Sequence, residues 1–172
     1  MAIYALGDQV PDVHPTAYVH PDAVVIGSVT IGAESSIWPS AVIRGDDGPI
    51  TIGARTSIQD GSIIHTTPWV PTVIGDDVVV GHLVHLEGCT IQDGALVGNG
   101  SIVLHEAVVE RGAVVGSGAV VPGRMVVPAG AMALGIPAKI KEGAADPEMI
   151  SLAKDSYVAR SKRYPQDLRR LD

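Results

Sequence analysis

The strongest constraint on this chain is a six-residue ruler of aliphatic side chains. From Val13 they fall at Val19, Val25, Ile31, Ile37 and Ile43, then at Ile52, Ile58 and Ile64, then at Ile74, Val80 and Leu86. A last run goes unbroken from Ile91 through Val97, Val103, Val109, Val115 and Val121 to Val127. Ile, Leu and Val are 49 of 172 residues, so seven successive hits have a chance probability of roughly one in ten thousand. A period of six belongs neither to a helix nor to an isolated strand. Three irregularities interrupt it: three extra residues near Asp47 to Ile50, four extra in Thr66 to Val73, and one missing after Leu86.

Four places after the aliphatic position the side chain is usually small, as at Ala17, Ala23, Ser35, Ala41, Thr56, Ser62, Ala95 and Ser101. Gly often follows the aliphatic residue closely, as at Gly32, Gly53, Gly75 and Gly98. One large and one small inward residue per short strand, with Gly relieving a turn, describes a solenoid of triangular section. Roughly twenty hexads, three to a coil, give nearly seven coils stacked about 4.8 Å apart.

Composition agrees and excludes other classes. Ile and Val number 40 against 9 Leu, which favours strands over a helical bundle. Only 3% of residues are aromatic and Phe is absent, as a narrow aliphatic interior requires. Gly, Asp or Pro interrupts every apolar run before the eighteen or so residues of a membrane span. The start of the chain has neither a basic cluster nor a sustained apolar stretch, so a cytoplasmic protein is expected. The single Cys89 cannot build a disulfide framework. A net charge of −7 argues against nucleic acid or an anionic membrane as partner.

The charge is unevenly spread. Residues 1 to 138 carry 13 acids and 4 bases, whereas residues 139 to 172 carry 6 acids and 8 bases. The expected division is a β-solenoid over 1–140 and a C-terminal tail over 141–172 that packs on the acidic body or caps its open end. Asp146-Pro147-Glu148 reads as a helix start, giving a helix over about 147–163. Ile150, Ala153, Tyr157 and Val158 would form its buried stripe before Pro165 ends it.

Stacking converts the ruler into neighbours. Ile43, Ile64 and Leu86 occupy one wall of successive coils, so Arg44, His65 and Glu87 form an outward column. On the next wall Asp60, His82 and Asn99 form another. His65 and His82 project from different walls and would converge on one metal only between subunits, for which a three-fold trimer provides a closed geometry. His14, His20 and His105 lie off these columns and are expected to be ordinary surface residues. Cys89 is expected to be small filler.

The text Arg44-Gly-Asp46, Gln59-Asp60-Gly61, His65, Val80-Gly-His82, Gly88-Cys89-Thr90-Ile91 and Gly98-Asn99-Gly100 resembles the gamma-class carbonic anhydrases. So does the closing Gly135-Ile-Pro-Ala138. With the hexads, which resemble those of the wider hexapeptide-repeat family, the resemblance covers about residues 11 to 140. It implies an all-β solenoid, the left-handed parallel β-helix of about seven triangular coils, followed by a C-terminal α-helix. It also implies a homotrimer in which three His residues from two adjacent subunits bind zinc, or sometimes iron. The activity implied is reversible hydration of carbon dioxide to bicarbonate by hydroxide generated at the metal.

The matching ligand positions are His65, His82 and residue 87, where this chain has Glu in place of the usual His. Glu87 as ligand gives a two-His-one-carboxylate set. His85, on the same face two residues earlier, is a possible substitute. The resemblance further implies an Arg44–Asp46 salt bridge across the trimer interface, with Gln59, Asp60 and Asn99 as polar groups of the pocket. Asp47 sits near the position of a proton-shuttling acid. Two other functions remain open: a non-catalytic metal- or ligand-binding scaffold trimer, kept alive by Glu87, and an acyltransferase with a His base and a coenzyme A donor.

Overall fold

The computed structural model describes residues 2–172. Three ladders of short parallel strands form the three walls of a β-solenoid. On the first wall Val25, Ile43, Ile64, Leu86, Val103 and Val121 stand in register, one per coil. On the second, the succession is Val19, Ile37, Ile58, Val80, Val97, Val115 and Ala133. The third runs Val13, Ile31, Ile52, Ile74, Ile91, Val109 and Val127. Each position of the ruler is therefore a rung, and there are about seven coils.

The interior holds nothing larger than Ile or Leu. Ile58, Ile64, Leu86 and Val97 are fully enclosed, and so are the small partners Ala41, Ala95 and Ala119. Where the small partner is a hydroxyl residue it bonds to a turn carbonyl, which keeps a dry core free of orphaned polar groups. Ser62 Oγ donates to Gly81 O at 2.7 Å and Thr56 Oγ1 to Gly75 O at 2.7 Å. At the corners the coils nearly touch. A Cβ on Gly53 would lie 2.5 Å from the Gly75 carbonyl carbon, so no side chain fits there.

The irregularities of the ruler bulge outward without breaking the phase. Gly27 pairs with Gly45 and Val29 with Ile50, so the three extra residues are accommodated between those rungs. The missing residue after Leu86 is taken up at a corner where Gly88 has φ 59°. At the other end, Met132–Leu134 turns back and pairs antiparallel with Lys139–Lys141 across the Gly135 to Ala138 segment.

Helix α1 (Pro147–Asp167) begins on the Asp146 cap, whose carboxylate accepts from the Glu148 and Met149 amides. It continues past Pro165 to Asp167, four residues beyond the expected end. The helix lies along the second wall and does not cap an end. It runs against the order of the coils, since Lys154 reaches Asp77 whereas Tyr164 reaches Tyr18 in the second-wall strand nearest the chain's start. Its basic residues meet the acidic body, with Lys162 Nζ 2.6 Å from Glu34 and Lys154 Nζ 3.9 Å from Asp77.

Most of the few aromatic rings gather at this seam and not inside the solenoid. The Trp38 ring centroid lies 5.3 Å from that of Tyr157 and 4.9 Å from that of Tyr164, and 5.5 Å from that of Tyr18. The pairs with Tyr157 and Tyr164 are edge-on, an arrangement that adds to the burial of apolar area.

Two outcomes test this account. Ile58→Ala should destabilise the fold by about 2–5 kcal/mol in urea denaturation, because neighbouring coils cannot collapse into the space. Arg55 donates to Asp77 through Nε at 2.7 Å and Nη2 at 2.8 Å, and this holds the Asp77 carboxyl below its ordinary range. A depressed folded-state value stabilises above the unfolded pKa and is lost as the pH falls through the folded one. Asp77→Asn should therefore cost about 0.5–1 kcal/mol at pH 7, discounted for its partial exposure, and progressively less as the acid limb is descended.

Candidate metal centre

The rung Ile43–Ile64–Leu86 carries Arg44, His65 and Glu87 one place beyond it, and Arg44 pairs with His65 and His65 with Glu87 in register. This is the column expected from the spacing. Register alone brings the side chains together. His65 Nδ1 is 2.9 Å from Glu87 Oε1, and His65 Nε2 is 3.1 Å from Asp46 Oδ1. Asp46 in turn binds the Arg44 guanidinium within the same chain.

His65 is thus held between two carboxylates. A neutral imidazole has one N–H, so it satisfies only one of them and turns a lone pair toward the other. A cation at one ring nitrogen, whether a second proton or a metal ion, removes that conflict. Asp46, Asp47 and His65 also offer ligand atoms that all lie within 4.8 Å of one another.

Glu87 is shared further. Its Oε2 lies 3.3 Å from His85 Nε2 and 3.6 Å from His105 Nε2. Burial pushes its carboxyl up, but the hydrogen bonds of His65 and His85 and the charges of His105 and His65 outweigh this and hold it below its ordinary range. Asp46 behaves likewise: against burial, Arg44, its own backbone and His65 keep it ionised to lower pH.

The second wall carries the other group. Ile58, Val80 and Val97 are rungs of one ladder, and Asp60, His82 and Asn99 follow them by two places. Asp60 Oδ2 is 2.9 Å from His82 Nδ1, which leaves Nε2 to face outward, 3.4 Å from the Tyr157 hydroxyl. The Asn99 Oδ1 accepts the His82 backbone N–H at 3.0 Å. Gln59, 4% exposed, lies beside them. The two groups stand on different walls of one chain.

Sequence reasoning missed two members. His105 was expected to be an ordinary surface residue, yet the register of Leu86 with Val103 places it one residue past the Glu87 rung, within reach of that carboxylate. Tyr157 was read only as helix packing, and nothing in the repeat could show that α1 folds back against the His82 wall.

No known family profile matches the chain. Among curated proteins, a 98-residue segment is 46% identical to the carnitine operon protein CaiE of Escherichia coli O157:H7, covering 57% of this chain and 50% of that one. A 97-residue segment is 43% identical to mitochondrial gamma carbonic anhydrase 3 of Arabidopsis thaliana, covering 53% of this chain and 38% of that one. The match thus spans half or less of these curated relatives. Two solved structures match at nearly full length. A Bacillus cereus protein provisionally named an acetyltransferase is 36% identical at TM-score 0.92, covering 95% of this chain and 96% of that one. A hexapeptide transferase family protein of Anaplasma phagocytophilum is 34% identical at TM-score 0.91, covering 95% and 98%.

Cys89 follows Gly88 directly but faces the core, 1% exposed, and burial pushes its thiol up to about 12. The thiolate is the reactive form. Native protein at pH 8 should leave Ellman's reagent unreacted for hours, and the thiol should react promptly in guanidinium; rapid native labelling would contradict the enclosed position.

Proposed function

The chain belongs to the hexapeptide-repeat family that includes the gamma carbonic anhydrase-like proteins, and we propose that it acts as a homotrimeric metalloenzyme hydrating carbon dioxide reversibly to bicarbonate. In this reading zinc or iron is held between subunits by His65 and Glu87 of one chain and His82 of its neighbour. The observation that carries it is the His65–Glu87 rung, which sets an imidazole nitrogen and a carboxylate oxygen 2.9 Å apart. Tetrahedral ligands about 2.0–2.1 Å from zinc stand somewhat over 3 Å from one another, so a small rotation of either side chain suffices. The donor set fits the metal.

A bound divalent ion would supply Lewis acidity, making hydroxide attack on carbon dioxide available near neutral pH. The chain's own residues do the rest. Asp60 fixes the His82 tautomer through Nδ1, directing the Nε2 lone pair outward, as carboxylates behind metal-binding imidazoles do. Arg44 and Asp46 orient His65 from the other side. Gln59 and Asn99 supply amides that can orient carbon dioxide and bicarbonate. Glu87 lowers the positive charge of the site relative to a third His, so water there is less acidic and turnover slower.

Acyl transfer is the second reading. It is supported by the names of the two full-length structural neighbours and by the Asp60–His82 pair, which has the form of an oriented general base.

Metal analysis of protein purified without chelators, together with carbon dioxide hydration and acetyl-coenzyme A consumption, separates them. Stoichiometric metal and slow hydration are expected, with Glu87→His faster than the native chain. Asp60→Asn should weaken metal binding about 10–100-fold. A metal-free native protein with no hydration by either form, or a monomer in solution, would overturn the reading.

A further inference from the structure

Three consecutive coils present imidazoles around one carboxylate at a single corner of the solenoid. Glu87 is in register with His65 of the coil before, and Leu86 with Val103 of the coil after, so that His105 stacks over Gly88. His85 stands two residues before Glu87 on the same strand and therefore on the same face. Gly88 gives the His105 ring its seat: a Cβ there would come within 3.0 Å of that ring, so the backbone beside Glu87 is bare where the ring lies.

The two oxygens of Glu87 face different partners. Oε1 is 2.9 Å from His65 Nδ1, whereas Oε2 is 3.3 Å from His85 Nε2 and 3.6 Å from His105 Nε2. The last two distances exceed the roughly 2.7–3.2 Å usual for an N–H to oxygen bond. They fall near the separation of two ligands on one tetrahedral first-row ion, somewhat over 3 Å. The His85 and His105 side chains are 36% and 48% exposed, so either ring can turn toward the other. A site made of His65, Glu87 Oε1 and a neighbour's His82 leaves Oε2, His85 and His105 unused. A His at position 87 could not serve two ions, because a neutral imidazole offers a single lone pair, whereas a carboxylate offers two oxygens.

We infer that Glu87 bridges two metal ions: Oε1 serves the site at His65 that is shared between subunits, and Oε2 serves a second divalent first-row ion held within one chain by His85 and His105. Two imidazoles and a carboxylate are a donor set suited to zinc or cobalt, with a further position open to water or an anion. The inference rests on the proposed reading for the first ion, while the His85–Glu87–His105 group needs no neighbouring subunit. A second cation on the far oxygen draws electron density from Glu87 and so offsets the charge by which that carboxylate weakens the first ion as a Lewis acid.

The test is elemental analysis after reconstitution with zinc and gel filtration, on the native chain and on variants whose far-ultraviolet circular dichroism matches it. The native chain should hold two zinc ions. His82→Ala, the double variant His85→Ala/His105→Ala, and Glu87→His should each hold one. Ions in two-metal sites stand about 3.5–4 Å apart, close enough for spin coupling, so in cobalt-loaded native protein the paramagnetic resonance signal per ion should be weaker than in either His→Ala variant. A single zinc ion per native chain that the double variant keeps overturns the inference and leaves the intersubunit reading standing. A single ion that His82→Ala keeps and the double variant loses upholds the in-chain site and overturns the intersubunit one. Two ions that the double variant retains, or two cobalt ions without coupling, overturn the bridge, and a native chain that takes up no zinc overturns both readings.

Discussion

The parallel backbone ladder between coils is the interaction on which everything else here depends. It fixes a spacing of about 4.8 Å along the axis and a constant phase around it, so that residues 17 to 22 positions apart become nearest neighbours. Ile64 against Leu86 is one such contact, and His65 against Glu87 follows from it with no further folding information. The narrow interior is the other face of the same constraint. Because each coil of three short strands encloses one large aliphatic side chain from each wall with small ones between, the rungs cannot slip without driving a large side chain into a small one's place.

The chemistry inherits this rigidity. His65 sits between Asp46 and Glu87 because three successive strand ends deliver them there, and His82 is fixed by Asp60 from the coil before and Asn99 from the coil after. Glu87 is delivered to the same place by the same register. Its carboxylate is met by His65, His85 and His105, and the local environment is that of an anion among imidazoles.

What could be read from the chain beforehand was what depends on period. The coil count, both columns, the helix start at Asp146 and the acidic body that receives a basic tail all follow from counting residues or charges. What depends on side-chain reach or on where a non-repeating segment lands was hidden. His105 reaches one rung sideways to Glu87, and Tyr157 gains its place beside His82 only through the return of α1. Pro165 was read as a helix end, yet the helix continues through it to Asp167.

The direction of α1 has a bearing on how the protein is made. A repeat stack can fold coil by coil as it is synthesised, each coil resting on the one before. The Trp38 and Tyr18 rings on the early coils, however, are covered by Tyr157 and Tyr164 of α1, which follow them in the sequence by more than a hundred residues. Those early rings therefore stay exposed until α1 has been made and has folded back, and its turns convert a stack of coils into a closed, cooperative body.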